Sequence, residues 1–132
     1  MKTENALKQV SKFFRGMGMT VTRSKVPMPV GSREVLVVAG DIVVVHPKDK
    51  RSFYRIGQYW QHGIRESLLK HYAANDYIVC FYEEDTQSVV MGEAVRLLTV
   101  SRPGVMPGKF EGEEEVSRFI DLKDLVVMGV VQ

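Results

Sequence analysis

The sequence predicts an α/β fold, a mixed central sheet flanked by helices. Three observations carry that expectation: a helical apolar period near the N-terminus, β-branched runs at residues 35–39 and 42–45, and a second helical period ahead of an apolar strand at 77–82. A chain of 132 residues fits a single domain. Its 45% hydrophobic and 26% charged residues are the balance of a globular chain, so disorder and low-complexity architecture are not expected.

Ala6, Leu7, Val10, Phe13, Phe14 and Met17 recur every three or four residues, which predicts an amphipathic helix over 4–17. Thr3 is its candidate N-cap and Gly16 and Gly18 its stop, while Lys8, Lys12 and Arg15 line the opposite face. Residues 19–23 alternate as a half-buried strand does. Pro27, Pro29 and Gly31 then mark 24–33 as a loop, with Arg23, Lys25 and Arg33 at or near its ends. The runs at 35–39 and 42–45, separated by Gly40-Asp41, are apolar on both faces, as central strands of a covered sheet are.

Residues 46–52 read as a polar turn and 53–56 as another short strand, giving a hairpin. Ile64, Leu68, Leu69 and Tyr72 place a second helix within about 59–74, broken by Asn75-Asp76. Strands at 77–82 and 88–91 follow around a turn, and 93–100 has room for one or two helical turns. Two prolines, three glycines and the acidic Glu113-Glu114-Glu115 mark 101–115 as a mobile surface loop. After an apolar segment at 116–120, Asp121 and Asp124 precede Leu125-Val126-Val127-Met128, a pattern resembling an N-capped C-terminal helix.

The longest apolar runs fall far short of the ~20 residues of a membrane-spanning helix, and residues 1–12 lack the pattern of a secretory signal. Cys80 stands alone, which excludes an intramolecular disulfide and a cysteine-based zinc site and fits a cytoplasmic location. The net charge of +2 hides a polar chain. Residues 1–75 carry 13 Lys and Arg against 5 Asp and Glu, whereas 76–132 carry 5 against 11. Asymmetry of this kind points to nucleic acid or a charged partner.

His46, His62 and His71 lack metal-ligand spacing, and no glycine-rich phosphate loop is present. Cys80, on a central strand, reads as a buried small hydrophobe. Tyr54, Tyr59 and Trp60, interspersed with Arg55 and Gln58, are candidates either to stack on unpaired bases or to fill a helix–sheet interface.

One family shares this order of elements. The carriers are the N-terminal helix ending in Gly18-Met19-Thr20-Val21-Thr22-Arg23, the basic loop, Asp41 opening an apolar strand, and the hairpin. They continue with the helix before Tyr77-Ile78-Val79-Cys80-Phe81 and the closing Ile120-Asp121-Leu122-Lys123-Asp124-Leu125. Together they resemble the αβββαβ core of the restriction-endonuclease-like, PD-(D/E)xK nuclease superfamily, and within it the archaeal Holliday junction resolvases. The resemblance makes residues 4–82 the core and 83–132 a strand and helix addition.

In that family a carboxylate at the start of a strand, a second carboxylate a strand later and a lysine two residues beyond it hold divalent metal and orient water against phosphate. The two-residue spacing puts acid and lysine on one face of a strand. Asp41 matches the first carboxylate, with Gly40 where the family has proline. The rest is missing: the next strand reads Phe53-Tyr54-Arg55-Ile56-Gly57-Gln58, and no Glu-x-Lys occurs in the chain. Glu4 stands about one turn before the family's first-helix glutamate, and Glu66 is a candidate relocated carboxylate.

The resemblance therefore implies a catalytically inactive resolvase-like protein, without a cofactor and homodimeric. It would bind DNA, including four-way junctions, or act with a recombination or repair protein. Arg23, Lys25, Arg33, Lys48, Lys50, Arg51 and Arg55 are its candidate contacts to the DNA backbone. Two alternatives stand beside it. One is an active Mg²⁺-dependent structure-specific endonuclease using Asp41 and Glu66; the other is a protein–protein adaptor that docks through residues 111–115 and the apolar C-terminus.

Overall fold

The computed structural model describes residues 2–107 and 114–132. Helix α1 (Lys2–Gly16) leads into β1 (Val21–Pro27), β2 (Ser32–Val38) and β3 (Asp41–Lys48). A short hairpin, β4 (Ser52–Tyr54) and β5 (Tyr59–Arg65), precedes α2 (Glu66–Ala74), after which come β6 (Ile78–Glu83), β7 (Ser88–Glu93) and α3 (Ala94–Val100). The chain closes with β8 (Arg102–Pro107), β9 (Glu114–Asp121), a 3-10 turn (Leu122–Asp124) and β10 (Val126–Val130).

Six strands form one sheet in the order β1-β2-β3-β6-β7-β10, in which β3 and β6 run parallel and the other neighbours antiparallel. A parallel pair needs a crossover, and α2 supplies it. The sheet is covered on both sides, which is why its central strands read as unbroken apolar runs. On one side Ala6, Leu7, Val10 and Phe14 of α1 meet Leu36, Val43, Val45, Cys80 and Tyr82. On the other, Leu69 and Tyr72 of α2 and Ala94 and Leu97 of α3 meet Val35, Val44, Val79, Phe81 and Val90. Phe14 is buried at the centre of the α1 layer, and truncating such a ring to Ala costs about 3–5 kcal/mol. A second, antiparallel sheet in the order β4-β5-β9-β8 adds Ile64 and Ile120 to the α2 side.

The α/β class, the first helix, the second helix from residue 66 and the helical turns after residue 93 agree with the sequence reading. Other segments differ. The expected loop at 24–33 is mostly strand: β1 is an edge strand, so Pro27 removes no hydrogen bond from a neighbour. The polar turn begins later than expected because β3 continues through His46-Pro47-Lys48. Pro47 is tolerated there because β2 pairs with β3 only as far as Leu36 and Val43. Residues 59–65 form a strand rather than the first turns of α2, burying Gln61, His62 and Ile64. Arg102–Pro107 and Glu114–Asp121 are paired strands, not a loop, because β5 offers them an edge; residues 108–113 lie outside the described residues. The expected C-terminal helix is a 3-10 turn followed by β10, which pairs with β7. Asp121 does not cap that turn, since its carboxylate accepts from Arg102 at 2.8 Å. Among the described residues no helix is long and apolar enough to cross a membrane.

Candidate functional site

The C-terminal ends of β3 and β6 lie side by side, with His46 opposite Phe81 and Lys48 opposite Glu83. Crevices at the carboxyl ends of parallel strands are where α/β sheets bind ligands. Here the β4–β5 hairpin leaves the sheet and α2 returns to it, enclosing a cleft of about 460 Å³. His46, Lys48, Ser52, Gly63, Arg65 and Ser117 are among the residues that line it. No carboxylate is among the described residues of its lining.

Strand alternation puts Val44, His46 and Lys48 on the α2 side of the sheet. The Lys48 ammonium lies 5.5 Å from the centroid of the Phe81 ring and donates to the Gly63 carbonyl at 2.6 Å. Burial pushes its pKa down. His46 Nε2 is hydrogen bonded to the Tyr72 hydroxyl at 3.1 Å. Burial, with the nearby charges of Arg33 and Lys48, holds the His46 imidazole well below its usual range, so it is neutral at pH 7. Both shifts share one leading cause, removal of the charged form from water, and at His46 the charges of Arg33 and Lys48 add to it.

Arg33 belongs to the same cluster. Past Leu36 and Val43 the strands β2 and β3 part, and the Arg33 guanidinium fills the opening. Its Nη2 donates to the Val45 carbonyl at 2.7 Å, a carbonyl that β2 no longer serves. Its Nε is buried and has no hydrogen-bond partner among the described residues. Arg33 also lines an adjoining depression with Ser67 and Tyr72, and Arg65 and Leu68 line both spaces.

Beside the cleft, Arg51, His62 and Glu83 form a hydrogen-bonded network. Glu83, completely buried, accepts from Arg51 Nε at 2.8 Å, from Arg51 Nη2 at 3.0 Å and from His62 Nε2 at 2.7 Å. Burial pushes the Glu83 pKa up, but the hydrogen bonds and charges of Arg51 and His62 outweigh it and hold the carboxyl below its usual range. This group anchors β6 to the chain leading into β4.

The candidate DNA contacts therefore divide. Lys48 lines the cleft and Arg33 the depression that adjoins it, and the charges of both act on His46. Lys50 and Arg51 line a neighbouring groove, and Arg51 is engaged by Glu83. Arg23 is on the α1 side, paired with Glu4 at 2.9 Å and Glu34 at 3.4 Å; strand alternation puts Lys25 on that side as well. Arg55 is in the exposed turn between β4 and β5.

The two candidate carboxylates are not brought together. Asp41 opens β3 and borders a depression with Asp76, Tyr77 and Glu93, at the start of the parallel pair. Glu66 opens α2 at the opposite end, where Lys70 and Arg118 hold it at 3.0 and 2.9 Å. Asp41 and Glu66 thus lie at opposite ends of the sheet, because β3 and α2 each run its depth between them. Glu4, the other candidate, is tied to Arg23. Asp121-Leu122-Lys123 carries an acid-x-lysine spacing, but it turns at the end of β9 and Asp121 is engaged by Arg102.

His46 was missed as a site residue because Pro47 and the charges after it mimic a turn. The available signal was its position two residues before Lys48 at the end of a β-branched run. Among the described residues, no three His, Cys, Asp or Glu side chains cluster as a metal site requires. No protein-family model, curated protein or solved structure matches the chain.

Proposed function

We propose that the chain is a resolvase-like DNA-binding protein whose hydrolytic centre is replaced by a cationic, phosphate-accepting cleft. The observation that carries this reading is the placement of Arg33, His46 and Lys48. The nuclease pattern calls for an acid at the start of one strand, an acid on the next, and a lysine two residues further. Arg33 near the start of β2, His46 on β3 and Lys48 two residues on occupy that pattern, one hairpin before residues 53–58. Lys48 fills the lysine position, and an arginine and a neutral histidine fill the two acid positions, so no carboxylate there repels an anion.

The element order supports the same reading: helix, three strands, helix and a strand parallel to the third, with the β4–β5 hairpin inserted before the second helix. Exchanging two carboxylates for arginine and histidine removes the need for metal to admit phosphate. Direct contacts from Arg33 and Lys48, with Arg65 at the rim, then take its place. None of these groups reads base identity, so recognition is of backbone and shape. The homodimer and the accessory role in recombination or repair belong to this proposal as well.

Titrating a labelled four-way junction and a matched linear duplex tests it. Binding is expected at about 50 mM salt, falling at least roughly tenfold by about 200 mM. Failure to bind either DNA at the lower salt overturns the proposal.

A further inference from the structure

Beside the cationic cleft lies a groove of about 710 Å³ between the β4–β5 hairpin and the turn joining β6 to β7. Its lining is Lys50, Arg51, Ser52, Phe53, Trp60, Asp85 and Thr86. Ser52 lines both the cleft and the groove, so the two spaces are neighbours.

Phe53 and Trp60 are cross-strand partners and therefore share one face of the hairpin, with ring centroids 4.9 Å apart. Both are 48% exposed. Along β5 this same face buries His62 and Ile64, so the hairpin carries its apolar side out of the core and leaves the last pair open. The opposite face is satisfied within the protein: Tyr54 stacks on Tyr59 at 5.1 Å, and Arg102 lies over both rings, 5.3 and 4.4 Å from their centroids. The two aromatic pairs of one hairpin thus differ in kind. Tyr54 and Tyr59 hold Arg102, and through it Gln61 and Asp121, while Phe53 and Trp60 border open space.

We infer that Phe53 and Trp60 form a stacking platform for an unpaired base, so that the DNA preferred by this protein contains a single-stranded stretch. This rests on the DNA-binding reading above and specifies its substrate. A base is flat, apolar on its faces and polar at its edges. The groove offers the matching features: two ring faces, with Thr86 and Asp85 opposite as hydrogen-bonding groups. Asp85 disfavours a phosphate inside the groove. The phosphates instead fall to Lys50 at its edge and to the cleft reached past Ser52. A paired base, already stacked within a duplex, presents no free face to these rings.

Trp60 is the sole tryptophan of the chain, so the protein carries its own probe. The test titrates the full chain with an oligothymidylate of about 12 nucleotides and with a duplex of the same length, following Trp60 fluorescence together with anisotropy of labelled DNA. The single strand is expected to quench Trp60 saturably and to bind at least about fivefold more tightly than the duplex. Trp60→Ala is expected to weaken single-strand binding about fivefold or more while duplex binding stays within about twofold. If Trp60→Ala fails to fold, Trp60→Phe and quenching of the unaltered protein decide the matter. Equal binding of both DNAs without quenching overturns the stacking platform and leaves the cationic cleft standing. Failure of both DNAs to bind overturns the cleft, and the platform with it.

Discussion

Arg51 and Glu83, 32 residues apart in the chain, form a two-point ion pair, with Nε to Oε2 at 2.8 Å and Nη2 to Oε1 at 3.0 Å. The pair ties the segment entering β4, whose Arg51 lines the groove, to the end of β6. Because Glu83 is completely buried, removing its partner strands a carboxylate away from water. Arg51→Met is expected to cost about 2–3 kcal/mol of folding stability, less than for a wholly buried pair because Arg51 is one-third exposed. Urea denaturation measures this, and a loss below about 0.5 kcal/mol would show that His62 alone satisfies Glu83.

His46 makes stability depend on pH. Burial, then the charges of Arg33 and Lys48, lower its pKa in the folded chain, whereas the unfolded chain returns it to about 6.5. The unfolded state therefore takes up a proton first as pH falls. The contribution is fully present above about pH 6.5 and is lost as pH drops toward the folded value, at up to about 1.4 kcal/mol per pH unit. His46→Asn should flatten that slope. An unchanged slope in urea midpoints between about pH 7 and 5 would assign the effect to other groups.

The β2–β3 hairpin turns through Ala39 and Gly40, both with positive φ, at 50° and 90°. Asp41 is the first residue of β3, opposite Val38, as its place at the opening of an apolar run suggests. Only Gly40 suits such a turn without strain; Ala39 pays for a conformation that asparagine adopts readily. Ala39→Asn should stabilise the protein by about 0.5–1 kcal/mol, read as a raised urea midpoint at constant slope.

Elements with strong periodicity were legible in the chain. The apolar stripe of α1 and the β-branched runs of β2, β3, β6 and β7 each report one local environment, and the folded layers follow them. What stayed hidden depends on partners distant in sequence. Residues 59–65 look helical because Ile64 and Leu68 are four apart, yet β9, more than 50 residues later, draws them into a sheet. Pro47 reads as a turn because nothing local reveals that β2 has already separated from β3. The charge asymmetry was legible as a count but not in its disposition. Arg51–Glu83 joins the basic half to the acidic half, and Arg118–Glu66 joins them in the reverse sense. Arg33 and Lys48 read as basic residues in the chain, but their approach to His46 from two adjoining spaces belongs to the tertiary fold.

Asp41 provides a negative control. It opens β3 at the far end from the cleft, so Asp41→Ala should leave DNA affinity within about twofold in the presence or absence of Mg²⁺. Metal-dependent junction cleavage that disappears in this variant would instead support the nuclease alternative.

The most direct test of the cationic cleft compares the salt dependence of duplex binding by the unaltered chain and by Arg33→Met/Lys48→Met. Each phosphate contact contributes about 0.9 to the slope of log affinity against log salt concentration. If Arg33 and Lys48 each neutralise a phosphate, the double variant, checked for folding by circular dichroism, loses about 1.8 from that slope. An unchanged slope with unchanged affinity would place the DNA elsewhere on the molecule and contradict the account.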